Sequence, residues 1–247
     1  NVTEIKICGL TRSDQVAAIA AHYPQFRAPN YLGFICVPQS PRFVSPAQIR
    51  ILTQALPSQI TPVGVFANAT LDEVVETVTV GQLRGIQLHC DESLEFCWSV
   101  RRRFPDLVLV KALRIRTAAD LERALAYGQG MGSAEKLGGD PAGDSGGDLS
   151  DANPGPRLTP IDALLLDAYH PQQLGGTGET LDWDMLRQFQ PAVPWFLAGG
   201  LRPDNVTEAL GLVQSQGVDV SSGVERSPGD KDLDRVAAFI EAVRMLA

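Results

Sequence analysis

E-I-K-I-C-G-L-T-R, Glu4 to Arg12, is a short apolar strand that ends on a cysteine and meets a glycine at once. A helical pattern, 13–22, follows directly. The same succession of strand and helix returns to the far end of the chain. Strand candidates occupy 4–10, 31–37, 62–67, 85–90, 107–113, 163–168, 195–199 and 218–222. Helix candidates lie between and after them, at 13–22, 46–56, 71–80, 92–103, 118–127, 183–189, 203–214 and 233–246. Capping residues such as Ser13, Ser45 and Thr117, and first-turn prolines such as Pro46 and Pro203, mark several helix starts.

Eight strand–helix units in 247 residues predict an α/β fold, a closed (β/α)8 TIM barrel forming a single domain over 1–247. A doubly wound open sheet is the alternative, but the first strand is not followed by the G-x-G-x-x-G fingerprint. The rhythm breaks once, between Gly128 and Pro160, where Gly, Asp, Pro and Ser dominate. Such a composition cannot pack a core, so 128–160 reads as a flexible Gly-rich insertion between helix 5 and strand 6. In a barrel that connection belongs to the face opposite the active site, and it is expected to be dispensable for chemistry.

Composition narrows the function. Twenty-one Lys and Arg against 29 Asp and Glu give a net charge of −8, which leaves no global basic surface for nucleic acid or anionic lipid. An anionic small molecule is still admissible, because backbone N–H groups and helix N-termini bind phosphate locally. No apolar run approaches the roughly 20 residues of a membrane span, and the N-terminus lacks the regions of a signal peptide. A cytoplasmic protein is expected. The four cysteines, Cys8, Cys36, Cys90 and Cys97, fit neither a disulfide framework nor a zinc site. The sequons at Asn68 and Asn205 are then chance matches.

Catalytic groups of such barrels stand at the C-terminal ends of the strands. Those positions hold Cys8, Arg42, Asn68, His89, Lys111, Asp167, the run Gly175-Gly176-Thr177-Gly178, Gly199-Gly200 and Ser222-Gly223. Cys8 is either an inert buried thiol or, as a thiolate, a nucleophile or general base, with Gly9 allowing a ligand close. Asp167 ends L-L-L-D and is either a capping aspartate or an acid at the barrel mouth. Together the two suit proton transfer. The glycine loops after strands seven and eight can converge their N–H groups on one phosphate. Arg42, in Ser40-Pro41-Arg42, is either an exposed arginine or a carboxylate clamp. His89 and Lys111 read as supporting residues in a polar layer at the barrel top.

Taken in order, Lys6-Ile7-Cys8-Gly9-Leu10-Thr11, Ser40-Pro41-Arg42, Val63-Gly64-Val65-Phe66, Gln87-Leu88-His89, Leu165-Leu166-Asp167, Gly175-Gly176-Thr177-Gly178, Leu197-Ala198-Gly199-Gly200-Leu201 and Gly217 to Glu225 resemble the phosphoribosylanthranilate isomerase family of tryptophan biosynthesis. The resemblance runs from Glu4 to Arg244. It implies an Amadori rearrangement of N-(5-phosphoribosyl)anthranilate to 1-(2-carboxyphenylamino)-1-deoxyribulose 5-phosphate. By the same resemblance Asp167 is the general acid and Cys8 the general base. Arg42 holds the anthranilate carboxylate, and Gly199, Gly200, Ser222 and Gly223 hold the phosphate; His89 is counted with the substrate-binding residues. No metal or organic cofactor is implied, since the substrate nitrogen becomes the electron sink.

The partner is then a phosphorylated small molecule, with no nucleic acid or membrane, and the assembly a monomer or homodimer. Two features depart from the family pattern: the 128–160 insertion, and Cys90 where glycine is usual after Gln-Leu-His. The competing readings are the histidine-pathway isomerase, which uses aspartates for both proton transfers, and a catalytically silent phosphate-binding barrel. Cys8 speaks against the first, and the pairing of Cys8 with Asp167 against the second.

Overall fold

A computed structural model describes residues 2–21, 29–129, 158–168 and 182–246. Eight parallel strands close into a barrel: β1 Glu4–Cys8, β2 Tyr31–Ile35, β3 Thr61–Phe66, β4 Gly85–Leu88, β5 Val108–Ile115, β6 Ala163–Ala168, β7 Trp195–Leu197 and β8 Gly217–Val220. Helices α1 Ser13–Ala20, α2 Pro46–Thr53, α3 Leu71–Gly81, α4 Leu94–Arg103, α5 Ala118–Gln129, α6 Val206–Leu212 and α7 Leu233–Arg244 pack outside. A short hairpin, β9 Glu225–Ser227 and β10 Asp230–Lys231, follows β8. The predicted (β/α)8 barrel is the observed fold.

Side chains alternate across each strand, so every strand carries two burial environments. Ile5 and Ile7 of β1, Leu164 and Leu166 of β6, and Val218 and Val220 of β8 join the apolar layer beneath the helices. Val110, Ala112, Ala163, Leu165, Phe196 and Ala198 fill the lower barrel interior, and Phe196 meets Tyr31 edge to face. Above that plug the inward positions turn polar: Lys6, Cys8, Gln87, Asp167 and Asp219 are all buried. Closure is in register, with Lys6 opposite Asp219 across β1–β8 and Cys8 opposite Gly33 across β1–β2.

Some boundaries differ from those expected. Ser45 caps α2 in a full capping box with Gln48, and Pro46 takes the first turn. Ser13, in contrast, lies inside α1, whose cap position is Arg12 with no side-chain cap bond. The helix expected over 183–189 is a single 3-10 turn, Trp183–Leu186, opened by Asp182 and followed closely by Pro191, which disfavours further helix. The helix expected from Pro203 begins at Val206, because Asn205 uses its side chain to close the preceding turn, accepting from the Arg202 N–H at 2.7 Å. The 175–178 glycine run and 130–157 of the expected insertion lie outside the described residues.

Candidate active site

The strand ends surround a cavity of about 490 Å³, a size suited to one small ligand. Cys8, Arg42, His89, Asp167, Gly199, Gly200, Ser222 and Gly223 all line it. Asn68 and Lys111 do not. Lys111 departs from expectation because its neighbours Val110 and Ala112 take the inward positions, which sends Lys111 toward the helices. Its ammonium bonds the Glu92 carboxylate at 2.8 Å and the carbonyls of Leu88 and Cys90, over the Tyr127 ring. Glu92 in turn accepts from the backbone N–H groups of Asn68 and Cys90. Lys111 and Asn68 thus brace the loops after β3 and β4 from behind.

Cys8 sits at the top of β1, 5% exposed. A methyl group on Gly33 would come within 2.6 Å of its Sγ and 3.1 Å of Lys6 Nζ, so the missing side chain on β2 makes the space that both occupy. Lys6 Nζ donates to Asp219 Oδ1 at 2.8 Å. Burial pushes the Cys8 thiol above its usual range; the Lys6 ammonium opposes that and the Asp219 carboxylate adds to it. Burial works against the Lys6 charge, but Asp219 and Cys8 together prevail and raise its pKa.

Across the mouth, Gln87 donates through Nε2 to His89 Nδ1 at 2.7 Å, which assigns the ring proton to Nε2. That nitrogen lies 3.2 Å from Asp167 Oδ2, an ion-pair distance but off the line of a hydrogen bond, and among the described residues neither His89 Nε2 nor Gln87 Oε1, both buried, has a hydrogen-bond partner. The sequence pairs Cys8 and Asp167 in one cavity, and the fold does so too.

Arg42 reaches the cavity already held. Its Nη2 lies 2.7 Å from Glu225 Oε2, and Nε contacts both carboxylate oxygens. Glu225 also accepts from Lys231 Nζ at 2.8 Å and from the Gly229 N–H. Burial disfavours the Glu225 carboxylate, yet the Arg42 bonds and the Lys231 charge outweigh it and hold its pKa below the usual glutamate range. Gly9, at φ 80°, leaves room for this arginine: an added Cβ would lie 2.7 Å from Arg42 Cδ.

The two glycine loops form one cradle. Gly199 and Gly200 adopt φ of 84° and 66°, and Asn205 Nδ2 ties the Gly200 carbonyl at 3.0 Å. Opposite, Ser222 starts a 3-10 turn whose first N–H groups have no partner within it. A Cβ on Gly223 would fall 1.9 Å from the Leu201 carbonyl oxygen, so only glycine lets the loops close on each other. Lys231 bonds the Ser221 carbonyl from beneath. Such a cradle suits an oxyanion. Among the described residues no cluster of three or more His, Cys, Asp or Glu is placed to hold a metal ion.

Sequence reasoning missed Lys6, Gly33, Gln87, Asn205, Asp219, Glu225 and Lys231 as parts of the site. Alternation along β1, β4 and β8 would have flagged Lys6, Gln87 and Asp219, because each shares parity with a residue already chosen or with the ligand-side turn. Glu225 and Lys231 carry no such signal.

The chain is similar to known proteins along its length. The sequence profile of the family described as N-(5'phosphoribosyl)anthranilate (PRA) isomerase matches residues 5–129 and 148–242. An N-(5'-phosphoribosyl)anthranilate isomerase of Trichormus variabilis is 47% identical over 237 residues, covering 96% of each chain. A crystal structure of phosphoribosyl anthranilate isomerase in complex with reduced 1-(o-carboxyphenylamino)-1-deoxyribulose 5-phosphate aligns over 99% of this chain and 100% of its own, with 27% identity and TM-score 0.75. Monomers generated from the dimeric Thermotoga maritima enzyme align over the same shares, at 28% identity and TM-score 0.75. With the profile spanning all but the 130–147 stretch of its core, and the strand ends built as described, the chain belongs to the N-(5'-phosphoribosyl)anthranilate isomerase family.

Proposed function

We propose that the cavity catalyses the Amadori rearrangement of N-(5'-phosphoribosyl)anthranilate, with Cys8 as general base and Asp167 as general acid. The observation that carries this reading is the placement of both groups in one cavity whose far wall is the paired glycine cradle. The cradle holds the 5'-phosphate through backbone N–H groups around Gly199, Gly200, Ser222 and Gly223. Arg42 gives Nε and Nη2 to Glu225 and turns the rest of its guanidinium to the anthranilate carboxylate.

Asp167 protonates the ribose ring oxygen, and the C1–O bond breaks as the substrate nitrogen lone pair forms an iminium. Cys8, as thiolate, takes the C2 proton; the C–H electron pair moves into the C1–C2 bond and neutralises the iminium as an enolamine. Proton loss from the C2 hydroxyl and protonation at C1 then give the ketone. His89 Nε2 flanks the Asp167 carboxyl group at 3.2 Å. Each proton-transfer residue is worth about 10²–10⁴ in rate.

Loss of anthranilate-ribonucleotide fluorescence, with substrate generated in situ, tests the reading. Wild type should consume substrate well beyond spontaneous hydrolysis, while Cys8→Ala and Asp167→Asn lose about 10²–10⁴ in kcat with the fold retained. Near wild-type turnover in either variant refutes that residue's role. Inactivity of folded wild type moves the assignment to the histidine-pathway substrate, and failure there to a silent binding barrel.

The dimeric Thermotoga maritima relative supports the homodimer among the two expected assemblies, which light scattering distinguishes. Among the described residues no helix is long and apolar enough to cross a membrane, which is compatible with the cytoplasmic location we assign.

A further inference from the structure

We propose that Lys6 is the positioning residue that makes Cys8 a base, acting as the counter-ion of its thiolate, and that Asp219 holds Lys6 there while competing with Cys8 for its charge. The inference rests on the reading of Cys8 as general base and names what arms it.

The argument begins with burial. Lys6 is 3% exposed, inside a barrel, on the inward face of a strand, where an ammonium is stable only beside anions. Asp219 supplies one at 2.8 Å. The second, once ionised, is the Cys8 thiolate, two residues along the same face of β1. Lys6 Nζ and Cys8 Sγ both crowd the empty Cβ position of Gly33, at 3.1 and 2.6 Å. Gly33 therefore does more than spare the cysteine: it brings ammonium and sulfur together.

The other titratable groups facing Cys8 are few. Asp219 comes from β8, Lys231 from β10 and Cys36 from the end of β2. Lys231 is a weaker influence on the sulfur than Lys6, being bound to Glu225 and the Ser221 carbonyl. Cys36 is neutral, with burial pushing its thiol up to about 12. The balance at Cys8 is thus set by burial and Asp219 on one side and Lys6 on the other. When the thiolate takes the C2 proton it becomes a neutral thiol, and Lys6 keeps Asp219 as its anion. The proton transfer so leaves a paired Lys6–Asp219 bridge rather than a stranded charge.

The pair predicts opposite effects from its two members. The test is the rate of Cys8 carbamidomethylation by iodoacetamide as a function of pH, read on the Cys8 peptide by mass spectrometry so that Cys36, Cys90 and Cys97 do not contribute. Lys6→Met should move the midpoint up by roughly 1–3 pH units, and Asp219→Asn should move it down. The kcat pH profile should move the same way, with KM little changed.

Because Lys6→Met strands a buried Asp219, the double variant Lys6→Met/Asp219→Asn is read as well. Its midpoint should lie above that of Asp219→Asn alone. A purely structural role would shift both single variants alike, and equal midpoints in Asp219→Asn and the double variant would overturn the proposal. Alkylation is measured without substrate, so a failure of the isomerase assignment would show only in the turnover assay and leave this outcome separate.

Discussion

Glu225 grips Arg42 before any ligand arrives: Nη2 stands 2.7 Å from Oε2, and Nε lies 3.0 and 3.1 Å from the two carboxylate oxygens. The fork is thereby aimed, and its rotamer is fixed by a residue 183 positions away. One buried carboxylate also neutralises Lys231, so it joins the Arg42 end of the cavity to the glycine cradle.

Replacing Glu225 with Gln should therefore cost about 3–5 kcal/mol, since it leaves two cations around a neutral amide in a desolvated site. The measure is the urea midpoint at unchanged slope. KM should rise as Arg42 swings loose. An unchanged midpoint would mean that the cluster is more hydrated than its burial implies.

Two glycine substitutions should separate chemistry from binding. Gly33→Ala pushes a methyl into Cys8 Sγ and Lys6 Nζ, and a displaced base lowers kcat by about 10²-fold. Gly223→Ala forces the Leu201 carbonyl away and opens the cradle, raising KM about tenfold, the loss of one charge-assisted hydrogen bond. Inhibition by inorganic phosphate should weaken in the second variant and persist in the first; the reverse pattern would interchange the two assignments.

Acid should unfold the barrel through two buried glutamates. Burial disfavours both charges, but Glu225 is held below the usual value of 4.5 by Arg42 and Lys231, and Glu92 by Lys111. Depressed folded-state values mean that this stabilisation is complete above the unfolded value near 4.5 and is lost as pH falls toward the folded ones. Denaturation midpoints should hold from neutral pH to about 5 and drop below about 4. A Glu92→Gln variant should show a shallower acid limb, and an identical limb would remove Glu92 from the account.

Removing 130–153 should leave kcat/KM within about twofold. The described chain stops at Gln129, the end of α5, and resumes ahead of the N-terminal end of β6 at Ala163, which is the strand end away from the cavity, and the family profile passes over 130–147. A folded deletion variant with greatly reduced turnover would give the segment a part in assembly or catalysis.

How much of this was legible beforehand varied with the range of the forces involved. Strand existence depends on local apolar runs, and β6 spans the expected 163–168. The late start of α6 at Val206 depends on Asn205 reaching the Gly200 loop, a contact no helical period encodes. Cys8 and Asp167 could be read because each closes an apolar run. Lys111 was assigned to the wrong side because its strand end was counted without its parity. Lys6 and Asp219 become partners only when β1 meets β8, so neither residue signals the other along the chain.

That last pairing spans 213 positions, first strand to last. In synthesis Lys6 precedes its tether, Asp219, by those 213 positions, so Cys8 is made long before β8. Until β8 docks, the cysteine lacks the environment that distinguishes it from an ordinary thiol. If Lys6 arms Cys8 as we propose, barrel closure and the arming of the base are one event, and a chain lacking β8 should carry a Cys8 of ordinary thiol reactivity.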